Sequence, residues 1–172
     1  MKKVILILIA FVSLSISASA QKFGHVVSAD ILDLMPEAKA AQTALETEGK
    51  KLETQLQSMG VEYQSKLQAY QENMQLADAA QEKWSAALRA DKEQEIMQLQ
   101  ERIQRFQENA QQTIQQKRND LLKPVMDKLD AAIKKVAAAG GYVYVMEKAT
   151  VLYINESISV DLTNEVKKEL GL

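Results

Sequence analysis

Apolar residues in the middle of the chain recur at three- and four-residue steps. Leu45, Leu52, Leu56, Met59, Tyr63, Leu67, Tyr70 and Met74 form one narrow stripe, with Lys, Glu and Gln between them. A second stripe runs through Ile96, Leu99, Ile103, Phe106 and Ala110; its 3-4-3-4 spacing is that of a coiled-coil seam, continued less strictly by Ile114 and Leu121. Two such stripes in one chain predict a long antiparallel helical hairpin over residues 36–124. Pro36 suits the first helical position, where a backbone N–H would have no partner anyway. Neither Gly nor Pro occurs between Gly60 and Pro124, so no strong helix breaker marks the reversal. Symmetry of the two stripes places the tip near residues 76–85. Arms of about 40 residues at 1.5 Å per residue would each reach about 60 Å.

Outside the hairpin the period changes. QKFGHVVS at residues 21–28 reads as a short strand carrying Phe23, Val26 and Val27, with a turn of helix at Ile31 to Met35. Pro124 predicts a kink or a restart of the second helix, since it lacks the donor N–H and crowds the preceding turn. After it, Val125, Leu129, Ile133 and Val136 give a fresh amphipathic stripe that Gly140 and Gly141 end. Tyr142 to Met146 and Val151 to Ile154 read as two further strands. Asp161 or Thr163 can cap a closing helix through Val166 and Leu170. The expected class is therefore mainly α with a small β body built from both chain ends, residues 21–35 and 125–172. Val26, Val27, Val143, Val145, Leu152 and Ile154 are its candidate strand positions. A body of about 60 residues buries little apolar surface by itself and leaves strand edges open. Both shortfalls are met if several copies join, which predicts a homo-oligomer.

The first 20 residues fall outside this pattern. Lys2 and Lys3, the apolar run Val4 to Phe11, and Ala18-Ser19-Ala20 make up a cleaved export signal, with the cut between Ala20 and Gln21. Its apolar run is too short to span a bilayer, so a periplasmic location is expected rather than a membrane anchor. Without Lys2 and Lys3, 19 basic residues face 23 acidic ones, a net charge of −4 that argues against nucleic-acid binding. Cysteine is absent, which removes disulfides, thiolate metal sites and thiol nucleophiles. No phosphate-cradling G-x-x-x-x-G-K-[ST] loop occurs, and no nucleophile, base and orienting partner can be assembled. The reading is a non-enzyme without cofactor or metal.

The chain also resembles the Skp (OmpH) family of periplasmic chaperones over essentially all of the mature sequence. The segments that carry the resemblance are FGHVVSADIL, MPEAKAAQ, LLKPVMDKLDAAIKKVAAAGGYVYV and VLYINESISVDLTNEV. The resemblance implies a homotrimer with a β-barrel-like body and three helical arms around a cavity. It further implies an ATP-independent holdase whose partners are unfolded outer-membrane proteins, shielded from aggregation in transit. The net negative charge departs from the strongly basic members of that family, so lipopolysaccharide binding is not carried over. A structural coiled-coil envelope protein or assembly subunit is the competing expectation, sharing the export signal and the stripes but having no need of a terminal strand body.

Single residues carry less. His25, the only histidine, is expected to be structural or at the surface. Met59, Met74 and Met97 are candidate adaptable client contacts, although their spacing also fits seam filling. Trp84, near the tip, suits a transient contact with client or membrane surface, or packing across the reversal.

Overall fold

The computed structural model describes residues 21–76 and 83–172; the export signal and the centre of the expected tip lie outside the described residues. In chain order the elements are β1 (Lys22–Val26), α1 (Ser28–Leu32), α2 (Pro36–Gln75), α3 (Ala86–Gly140), β2 (Tyr142–Glu147), a 3-10 turn (Lys148–Thr150), β3 (Ser159–Asp161) and α4 (Thr163–Leu170). The chain divides into two compact units, Pro36–Met126 and the two flanking segments ending at Met35 and beginning at Asp127.

The hairpin unit follows from the stripes. Pairs that cross between α2 and α3 run antiparallel: Glu48 with Lys117, Glu62 with Arg102 at 3.2 Å, and Lys66 with Glu95 at 2.9 Å. Near the reversal the Trp84 N–H donates to Asn73 Oδ1 at 3.1 Å. Ile96 and Leu99 are buried in the seam, whereas Leu52, Leu56, Tyr63, Leu67, Ile103, Phe106 and Ile114 are only half-buried. Two helices alone cannot enclose a stripe, because each apolar side chain is covered from one direction only. Ion pairs near the surface add little stability and mainly mark the register of the two helices.

The flanking unit is built on a three-stranded sheet of order β2-β1-β3, with β1 parallel to both neighbours. The connection from β2 to β3 therefore crosses β1. Polar contacts pin the C-terminal segment to β1. The Val27 N–H donates to Thr163 Oγ1 at 3.0 Å, and the Leu162 N–H donates to the His25 carbonyl at 2.8 Å. The Thr163 N–H donates to Asp161 Oδ1 at 2.9 Å, a turn that leads into α4, whose N-cap is Leu162 and carries no side-chain cap. Val26, Ile31, Met35, Leu129, Ala132, Leu162 and Val166 form the core, with α1 packed on α4. Gly24 is required there because a Cβ would lie 2.7 Å from the Leu162 side chain. At the end of α3, Gly141 takes φ +67°, the left-handed conformation that releases the chain from the helix.

Three expectations are corrected. Residues 151–154 form no strand; the third strand is Ser159–Asp161, which occupies the free edge of β1. Leu152 and Ile154 are thus not strand positions, since an apolar run becomes a strand only where a ladder partner is available. The sheet is open and not a closed barrel: three strands leave the outer edges of β2 and β3 unpaired. Finally, of the kink or restart expected at Pro124, the restart does not occur: α3 runs from Ala86 to Gly140 with Pro124 inside it. Pro removes a single backbone hydrogen bond, and buried Val125 and Leu129 follow at the next helical steps.

Candidate functional site

Two surfaces stand out, one on each unit. On the hairpin, the half-open seam widens into grooves. One of about 570 Å³ is lined by Gly49, Leu52, Ala110 and Ile114 with three glutamines. A second, of about 380 Å³, lies beside Leu52, Leu56, Phe106 and Ala110, and the two share Leu52, Ala110 and Gln111. They therefore form one channel along the hairpin. Its width has a local origin: Gly49 and Ala110 stand where bulky residues would otherwise fill the seam, and nothing lies within 4 Å of the position a Gly49 Cβ would take. A third groove, of about 590 Å³, lies beside Gly60, Val61 and Gln64 on α2.

The electrostatics of the hairpin are set by short ion pairs. Glu95 accepts from Lys92 at 2.8 Å and from Lys66 at 2.9 Å, and these contacts hold its carboxyl down at about 2. Glu48 is likewise held below the usual carboxylate range, chiefly by Lys117. Lys92 is raised by Glu95 in return. Charged groups thus neutralise one another in pairs, and amides dominate the rim of the channel.

On the flanking unit, apolar side chains are exposed around β2 and the segment that follows it. Tyr144 is 63% exposed, Leu152 fully so and Tyr153 79%, with Val143, Met146, Ile158 and Val160 also exposed. Phe23 stacks on Tyr144 with ring centroids 6.4 Å apart. This is an apolar surface beside two open strand edges, a combination that in other proteins marks a contact with another chain.

The residues singled out from sequence fall as follows. Val26, Val143 and Val145 lie in strands, and Val27 immediately follows β1. Met74 and Met97 are about half-exposed, whereas Met59 and Trp84 are partly covered. Met74 lies 3.8 Å from an Arg89 nitrogen, while Met97 sits two residues from Glu95, so the four positions are spread along the hairpin and do not converge. His25 is buried, with Nδ1 2.9 Å from Ser159 Oγ and Nε2 3.8 Å from Asp161. The latter distance is too long for a hydrogen bond, and Ser159 belongs to the contacts that tie β3 to β1. Burial acts to raise the Asp161 carboxyl, but hydrogen bonds from Thr163 and the nearby His25 and Lys148 outweigh it and hold it low.

Sequence reasoning missed the channel. Its only signal was a pair of small residues, Gly49 and Ala110, at seam positions that coiled coils usually fill. Among the described residues no group of three His, Asp or Glu is placed to hold a metal, and no helix is long and apolar enough to cross a membrane.

Comparison with known proteins gives two matches. The family model described as Outer membrane protein (OmpH-like) matches residues 22–170. The fold is similar to the crystal structure of a proposed outer membrane chaperone (OmpH-like) from Caulobacter crescentus, with a TM-score of 0.70 at 14% identity, covering 90% of this chain and 86% of that one. No curated protein sequence matches.

Proposed function

This chain belongs to the OmpH-like outer membrane protein family, and from that premise we propose that it is an ATP-independent holdase chaperone of the periplasm, which shields unfolded outer-membrane proteins. The observation that carries the reading is the hairpin's apolar seam, left half-open outside Ile96 and Leu99 and widened into a channel. Two helices leave any seam half-open, but a structural coiled coil gains nothing from the further widening where Gly49 and Ala110 stand in place of bulky residues, which forgoes apolar burial. A holdase gains a surface that accepts many apolar sequences weakly.

Unfolded outer-membrane barrels need such a surface. Their strands alternate apolar and polar residues and cannot fold before meeting lipid, so in water they tend to pair edge to edge and aggregate. Many weak contacts hold such a chain reversibly. Release follows by mass action once the membrane or its assembly machinery offers a better partner, and no nucleotide is spent. The chain acts as a homo-oligomer, a trimer by family resemblance, in which the exposed surface of Tyr144, Leu152, Tyr153 and Ile158 is covered by other copies. Residues 1–20 direct export, and cleavage between Ala20 and Gln21 then releases the mature chain.

Light scattering tests the chaperone role. A barrel protein diluted from urea should remain clear when the mature chain is present in stoichiometric amount without nucleotide. Scattering equal to that of the barrel alone contradicts the proposal.

A further inference from the structure

We infer that the channel between α2 and α3 is a docking site for one extended, alternating segment of an unfolded client, which lays its apolar side chains on the seam and its backbone along a row of glutamine amides. The inference rests on the holdase reading and names where on this chain, and in what conformation, the client is held.

Three observations support it. The first is repeat length. Phe106, Ala110 and Ile114 on the channel floor are four residues apart, as are Gln107, Gln111 and Gln115 beside them, and four helical residues rise about 6 Å. In an extended chain, side chains on one face, and backbone groups on one edge, repeat every two residues, about 6.8 Å. The two repeats stay nearly in step over the eight residue steps from Phe106 to Ile114, about 12 Å of helix, enough for about four extended residues. A helical client would match this repeat as well, but its backbone groups are already paired within the helix and would leave the amides unmatched.

The second is charge complementarity. In a chain rich in charged residues, the polar groups lining the two grooves are Gln107, Gln111, Gln112 and Gln115, with Glu53 the one charged member. An amide both donates and accepts and carries no charge, so it pairs with the uncharged N–H and C=O groups of a peptide backbone whatever its sequence. The third is that the channel is not forced by crowding. A side chain at Gly49 would meet open space, so the vacancy is one that a larger residue would reduce.

The test uses the full mature chain with a photo-crosslinking amino acid at Gln111 or, as control, at Arg105. Arg105 is exposed and, at 100° per residue, faces the other side of α3. A barrel protein diluted from urea is the probe. Crosslinks to the client concentrated at Gln111, and mapping to its alternating segments, are expected. In parallel, the double variant Gln107→Glu/Gln111→Glu, with helicity checked by circular dichroism, should bind the same client about tenfold more weakly, the scale of one polar group left badly matched. If the wild-type chain keeps the client soluble but Gln111 crosslinks no better than Arg105, the channel inference is overturned and the holdase reading stands. Crosslinks from Gln111 to a second copy of this chain would overturn the choice of occupant. If the wild-type chain fails to hold the client, both readings fall.

Discussion

At the scale of single residues, Glu95 is the most informative group. Two lysines hold its carboxyl at about 2, against the ordinary 4.5. A lowered folded-state value means that the contribution to stability is present above the unfolded value and is lost as pH falls through the folded one. The hairpin should therefore keep its melting temperature down to about pH 4.5 and lose part of it between there and about pH 2. Glu95→Gln should melt below the wild type at pH 7, and the gap should close across that interval. Thermal melts followed by circular dichroism read both; a gap that is unchanged at low pH would show that Glu95 adds nothing through its charge. His25 shows the limit of reading residues from sequence. Nothing around position 25 reveals that Ser159 and Asp161 lie beside it, because the strand that carries them is 134 residues away.

At the scale of elements, the helices were legible and the strands only in part. Periodicity over dozens of residues specifies a helix, since each turn repeats the same information, and Pro36 marks its start. A strand depends on its ladder partner. The run Val151 to Ile154 has the right residues, but Ser159–Asp161 takes the edge of β1 instead, helped by the Ser159 contact to His25 and the turn that Asp161 forms with Thr163. At Pro124, of the kink or restart expected, the restart does not occur, because one proline removes a single backbone hydrogen bond from a long helix. The glycines of α2 carry their own prediction. Gly60 sits in mid-helix with nothing near the position of a Cβ, so Gly60→Ala should stabilise α2 by about 0.5–1 kcal/mol through backbone entropy. The denaturant midpoint of the helical signal should rise; a fall would mean that the backbone there departs from ordinary helix.

At the scale of the whole molecule, two surfaces have different tasks. The flanking unit presents exposed apolar residues beside open strand edges, which suits association of copies. The hairpin presents a half-open seam, which suits weak and adaptable holding of a client. Open strand edges in one chain were legible from the small size of the body, whereas the identity of the third strand was not, because it depends on which segment reaches the edge of β1. The central claim is that several copies of this chain together hold one unfolded barrel protein. Sedimentation velocity of a fluorescently labelled barrel, diluted from urea into an excess of the mature chain, tests it most directly. The account predicts a chain that sediments as an oligomer by itself and a client that moves with it as one discrete soluble complex. A stable monomer, or a client that pellets as it does alone, would contradict it.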